Sequence, residues 1–171
     1  MNLEQPCIRI SVRNLVEFIL RHGDIDNRTG GADKDAMQQG SRIHRKIQRQ
    51  QGAEYRAEVP LRYQIPCDGF ILSVEGRADG IIELPKRVVI DEIKGMYTDI
   101  SRLEEPIEVH LAQAMCYGYF YCCDKDLDGI RLQMTYCNLE TEEIKRFQTD
   151  RSREELETWF SGVVHEYFKW A

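Results

Sequence analysis

The chain has 171 residues, 30% of them charged and 42% hydrophobic, and carries a formal net charge of −6. That size suits a single domain over residues 1–171 that buries roughly 70% of its unfolded surface. No apolar run approaches the roughly eighteen residues of a membrane span, and charges break up the first twenty residues, so no membrane is expected and the location should be cytoplasmic.

In chain order, Ser11 is suited to cap a first helix whose Val12, Leu15, Val16 and Ile19 form one apolar face. Gly23 and the polar stretch Asp24 to Asp35, with Gly30-Gly31, read as a loop. A second helix is predicted from Asp35 to Gln51, with Ala36, Gly40, Ile43 and Ile47 as its apolar spine and Gly52 as its terminator. Gly40 is expected to let this helix approach the sheet closely, with His44 looking over the sheet edge. Tyr55 to Ile65 and Phe70 to Glu75 look extended, and residues 75 to 95 read as two strands joined at Pro85-Lys86. After a loop beyond Gly95, a helix is predicted from Pro106 to Cys123. A strand from Ile130 to Leu139 and an edge strand from Ile144 to Thr149 follow. Ser152 and Glu155 form a capping box for a last helix in which Leu156, Trp159, Phe160, Val163 and Tyr167 face the core.

The 75–95 hairpin carries the chemistry. A turn at Pro85-Lys86 brings Asp79 opposite Glu92, and strict alternation places Arg77, Asp79, Ile81 and Glu83 on the face that holds Val88, Ile90, Glu92 and Lys94. Opposed residues have Cβ atoms about 5 Å apart, so two ionised carboxylates there repel by about 3 kcal/mol at an effective dielectric of about 20. A divalent cation between them removes that cost, and hard oxygen ligands suit Mg²⁺. The run Val88, Val89, Ile90 and Ile93 is apolar on both faces, which marks a central strand, where charges need partners. Asp91 points the other way from Glu92.

The set Asp79, Glu92-Ile93-Lys94 resembles the PD-(D/E)XK nuclease superfamily. Gly40-Ser-Arg-Ile-His44 and Gln113-Ala-Met-Cys-Tyr117 are similar to the Gly-x-x-x-His and Gln-x-x-x-Tyr motifs of its RecB-type branch. The segments Ser-Val-Arg-Asn-Leu-Val-Glu-Phe, Gly-Asp-Ile-Asp and Asp91-Glu-Ile-Lys-Gly look like the nuclease module that precedes DinG-type superfamily 2 helicases, although no Walker-type phosphate loop occurs in the chain. The resemblance implies an α/β, restriction-endonuclease-like core, a central mixed sheet flanked by helices on both faces.

It also implies hydrolysis of DNA phosphodiesters with Mg²⁺ or Mn²⁺, as an exonuclease on single-stranded or unwound ends in repair or replication, with a superfamily 2 helicase as partner. Asp79 and Glu92 would hold the ion with the Ile93 carbonyl and His44, and Lys94 would act on the attacking water. Gln113 and Tyr117, one turn apart, would lie beside the scissile strand. From the residues alone, Tyr117 reads equally as a core-edge tyrosine capped by Gln113. Arg42 and Arg45 flank His44 as candidate DNA contacts, within a charge cluster that also reads as a solvated helix face. The acidity of the chain argues against tight duplex binding. The alternative is a non-catalytic member of the same fold that holds DNA or a helicase. The six cysteines lack metal-finger spacing and are expected to be free thiols. The iron–sulfur cluster of some RecB-type nucleases uses one early cysteine and three late ones, and with none after Cys137 that cluster is not expected here.

Overall fold

The computed structural model describes residues 5–21 and 34–170, with side chains from residue 40 onward in the second of these segments. Most of the expected 24–35 loop and the Ala36 side chain lie outside that description. The elements are β1 (Cys7–Ser11), α1 (Val12–Arg21), α2 (Lys34–Arg49), β2 (Tyr55–Cys67), β3 (Phe70–Leu84) and β4 (Arg87–Met96). A 3₁₀ turn (Ile100–Arg102), α3 (Glu108–Lys125), β5 (Gly129–Asn138), β6 (Ile144–Ser152) and α4 (Arg153–Trp170) complete the chain.

The expected caps form. The Asn14 N–H donates to Ser11 Oγ at 3.0 Å, and the Glu155 N–H donates to Ser152 Oγ at 3.0 Å while the Ser152 N–H reaches back to Glu155 Oε1. Two glycine expectations are corrected. A Cβ built on Gly40 meets nothing within 4 Å, so the residue is not where α2 closes on the sheet. Gly52 does not adopt a positive φ; α2 ends at Arg49, and the Gln51 side-chain amide donates to the Ile47 carbonyl at 2.9 Å.

All six strands join one mixed sheet in the order β1-β3-β4-β5-β6, with β2 also on β3. The extended segments at 55–67 and 70–84 pair with each other as one long antiparallel hairpin, turned by Asp68-Gly69 with Gly69 at φ +81°. The hairpin predicted at Pro85-Lys86 forms in the expected register, Leu84 opposite Arg87 and Gly80 opposite Asp91. β4 is central: Val89 through Ile93 are all buried. On one face α2 packs Ile43 and Ile47 against Ile93, Cys137 and Leu139. α1, α3 and α4 build the larger core, where Tyr63, Phe120 and Phe160 meet edge to face or stacked. Helices thus flank the sheet on both faces.

Strict alternation along β3 fails at the centre. Ala78 and Ile81, three residues apart, enter the same core cluster, while Arg77 is exposed. The expected shared face of Arg77, Asp79 and Ile81 is therefore broken at Asp79. The break coincides with Glu58, opposite Asp79 on β2, which takes φ +53°, a left-handed value that costs a non-glycine residue about 1 kcal/mol or more.

Candidate active site

The sheet splits where the two acids meet. β2 pairs with nearly all of β3 along one edge, so β1 and β4 share the other: β1 covers residues 71–75 and β4 covers 80–84. Between them, residues 76–79 lack a strand partner on that side. β1 ends at Ser11, where α1 begins, and β4 turns away to run parallel with β5. Asp79 stands at the crotch of this fork.

Its carboxylate takes the place of the missing strand. The Ile93 N–H donates to Asp79 Oδ2 at 2.7 Å, and Asp79 Oδ1 lies 3.6 Å from His44 Nδ1. Glu92 Oε1 is 3.5 Å from the Asp79 N–H, and Glu92 Oε2 is 3.8 Å from Lys94 Nζ. An extended residue projects its N–H and C=O to the same side, so the Ile93 carbonyl also faces the fork. The side chains of Asp79 and Glu92 are only 13% and 4% exposed, against 27% for His44 and 24% for Lys94. Burial is the main reason that both carboxyls hold protons more tightly than usual. For Glu92 the rise is large, with the Asp79 charge adding to it and Lys94 opposing it. For Asp79, His44, the Ile93 N–H and Lys94 pull the other way, and Glu58 adds to the rise.

Of the other predicted residues, Tyr117 reaches the fork. Its phenol lies beside the Arg77 backbone amide and within the field of Glu92 and Asp79, and it fills the space over Gly76, where a Cβ would come within 2.4 Å of the hydroxyl oxygen. Gln113, one turn earlier, is likewise buried. Arg42 and Arg45 are exposed on α2. Arg42 and Lys46, a turn apart, sit by Glu142, with Lys46 Nζ 2.8 Å from its carboxylate. His44 points about 200° around the helix from Arg42.

Four further residues lie around the site, and Gln48, Glu58 and His110 among them belong to no motif. Gln48, one turn after His44, donates through Nε2 to the Asp79 carbonyl at 2.8 Å and to Glu58 Oε1 at 2.9 Å. Its spacing from His44 was the available signal; nothing in the sequence announces the backbone of Glu58. Asp91, on the opposite face, is fully buried and accepts from Tyr55 Oη at 2.7 Å, Thr135 Oγ1 at 2.6 Å and Gln133 Nε2 at 3.1 Å. His110 lies on the Lys94 side of the fork, with Nδ1 3.1 Å from Tyr136 Oη.

Among the described residues, no three His, Cys, Asp or Glu side chains are already arranged to hold a metal ion. Asp79 Oδ2 is turned to the Ile93 amide rather than to His44. The donor set nonetheless fits a hard divalent cation. Two largely buried carboxylates meet at the fork with one ammonium 3.8 Å from Glu92, and the His44–Asp79 gap of 3.6 Å is too long for a good hydrogen bond. Ligands about 2.1 Å from one ion stand roughly 3 to 4 Å apart, which brackets that gap. The six cysteines are free, and no helix among the described residues is long and apolar enough to cross a membrane.

No family model matches the chain, and no curated protein does. Among solved structures it is similar to one described as the crystal structure of SSO0001, with a TM-score of 0.60 and 17% identity, covering 96% of this chain and 78% of that one. At that identity the likeness shows a shared fold. An alkaline exonuclease, LHK-Exo, from Laribacter hongkongensis aligns more loosely, with a TM-score of 0.46 and 15% identity over 92% of this chain and 87% of that one, too loosely to bear on activity.

Proposed function

We propose that the protein is a divalent-metal-dependent deoxyribonuclease that hydrolyses phosphodiester bonds at the β3–β4 fork. One observation carries this reading: Asp79 and Glu92, with side chains 13% and 4% exposed, meet at a gap in the sheet with the Lys94 ammonium 3.8 Å from Glu92. A purely structural pair of acids would be an expensive feature there, since burial raises the proton affinity of both and the Asp79 charge raises that of Glu92 further.

In this mechanism Asp79 and Glu92 would hold the ion, Mg²⁺ or Mn²⁺, with the Ile93 carbonyl and the His44 imidazole as further ligands. The chemistry such an ion supplies is polarisation of a phosphate oxygen and compensation of charge on the leaving oxygen. Lys94, beside Glu92, hydrogen-bonds the attacking water and stabilises the charge that gathers on the phosphoryl oxygens. Its compact ammonium suits that place better than a planar guanidinium. Tyr117 walls the fork on the α3 side, with Gln113 buried one turn earlier on the same helix, and both would lie next to the path of the scissile strand. Gln48 fixes α2, and so His44, against the backbone of Asp79. The finer reading is an exonuclease on single-stranded or unwound ends in repair or replication, in the cytoplasm, of the RecB type and working beside a superfamily 2 helicase.

The test is turnover of an end-labelled single strand with Mn²⁺. Loss of cleavage in both Asp79→Ala and Lys94→Ala supports the reading; unchanged rates in both would refute it. A second reading, a non-catalytic member of the fold that binds DNA or a helicase, is favoured by the bond that already engages Asp79 Oδ2. It predicts strand binding without turnover in the unsubstituted protein.

A further inference from the structure

We infer that the open sheet face beside the fork is a binding groove for the phosphate backbone of a single nucleic-acid strand, with Arg9, Arg62 and Arg77 as its contacts. The inference rests on the nuclease reading for its direction, because the groove ends at Arg77, two residues before Asp79. Arg9 and Ser11 on β1, Pro60 and Arg62 on β2, and Glu75 and Arg77 on β3 line an open groove of ≈ 570 Å³. The register fixes the arrangement. Arg62 and Ser11 both lie directly opposite Glu75, and Arg77 lies opposite Pro60, diagonal to Arg62 at about 7 Å. Arg77 is two residues from Asp79 along the same strand.

All three arginines are exposed in a chain whose net charge is −6, so a local positive surface stands against the overall field. Glu75 is the one acid that lines the groove, and it lies 3.9 Å from Arg9. No carboxylate among the described residues pairs with Arg62 or Arg77. Arginines that stabilised only the fold would be expected to find such partners in so acidic a chain. Two guanidinium groups left open on one side of an edge hairpin suit an anionic polymer that bridges them. β2 is an outer strand, and Pro60 and Pro66 discourage further strand pairing along it, which keeps this side clear. The unpaired stretch 76–79 spans about 13 Å, the width for one strand rather than a duplex.

The experiment is fluorescence anisotropy of a labelled oligothymidylate in EDTA, across a salt titration, so that binding is read without cleavage. Each phosphate contact contributes a slope of about 0.7 in log affinity against log salt for a single strand. The Arg62→Ala/Arg77→Ala double variant should therefore lower the slope by about 1.4, and Arg62→Glu/Arg77→Glu should lower it further. Arg87→Ala, at the far end of the β3–β4 hairpin, removes a positive charge outside the groove and should leave the slope near that of the unsubstituted protein. An unchanged slope in the double variant, or an equal loss per charge in Arg87→Ala, would overturn the groove. A duplex of equal length binding as tightly would overturn the single-strand assignment. Binding lost in the double variant without any Mn²⁺-dependent cleavage would sink the nuclease reading and keep the groove; cleavage with an unaltered slope would do the reverse.

Discussion

Asp91 and Glu92 are neighbours in sequence and face opposite sides of the sheet. Glu92 faces the fork, where one ammonium lies within 4 Å; Asp91 faces away and is satisfied by three side-chain donors. Substitution should separate them. Glu92→Gln removes a proposed metal ligand and should abolish both Mn²⁺ binding and cleavage while leaving the metal-free fold intact. Asp91→Asn replaces an acceptor by a donor among three donors, so about 1–3 kcal/mol of stability should be lost with Mn²⁺ affinity retained. Chemical denaturation and Mn²⁺ calorimetry on the two variants check this; metal binding lost in Asp91→Asn and kept in Glu92→Gln would reverse the assignment. This distinction was legible in the sequence, because period two in a buried central strand decides which of two adjacent acids shares a face with Lys94. The face of Arg77 was not legible. Alternation assumes an unbroken strand, and the left-handed backbone of Glu58 on the paired strand gives no compositional sign.

At the scale of elements, the site depends on where α2 sits. Its apolar spine packs Ile43 and Ile47 against Ile93, Cys137 and Leu139, contacts that have little say over sliding along the helix axis. Gln48 supplies direction by clamping the Asp79 carbonyl and Glu58 at once. Gln48→Ala should weaken Mn²⁺ binding by about 10–100-fold, as loss of an orienting partner does, with only a small change in melting temperature. Calorimetry with parallel thermal melts measures both, and a variant that melts early but binds Mn²⁺ normally would show Gln48 to be structural only. The helices, the capping residues and the Pro85-Lys86 hairpin were readable from periodicity and turn chemistry. The short β1 strand was not, since five residues ending in a helix cap give too little pattern. Nor was the fork itself, which arises because β1 and β4 share one edge of β3, a matter of long-range pairing.

Across the whole molecule, acidity and burial set the response to pH. His110 is held neutral: burial, with help from Lys94 and Arg13, lowers its pKa from 6.5 to about 4. The unfolded chain takes up that proton below its ordinary value while the folded protein refuses it. Stability from this group is therefore full above pH 6.5, declines as pH falls toward 4, and the loss reaches up to about 3 kcal/mol. His110→Gln should flatten the pH dependence of melting across that window, and an unchanged profile would place the titration elsewhere. The net charge of −6 disfavours polyanions at long range, so binding should depend on the local arginine groove and weaken steeply with salt.

The central claim is that Asp79 and Glu92 share one cation. Calorimetric titration of Mn²⁺ into the unsubstituted protein and into Asp79→Asn, at neutral pH, tests it most directly. The account predicts a hard-cation site in the former that disappears in the latter while both proteins stay folded. Equal binding by the two, or none by either, would contradict it.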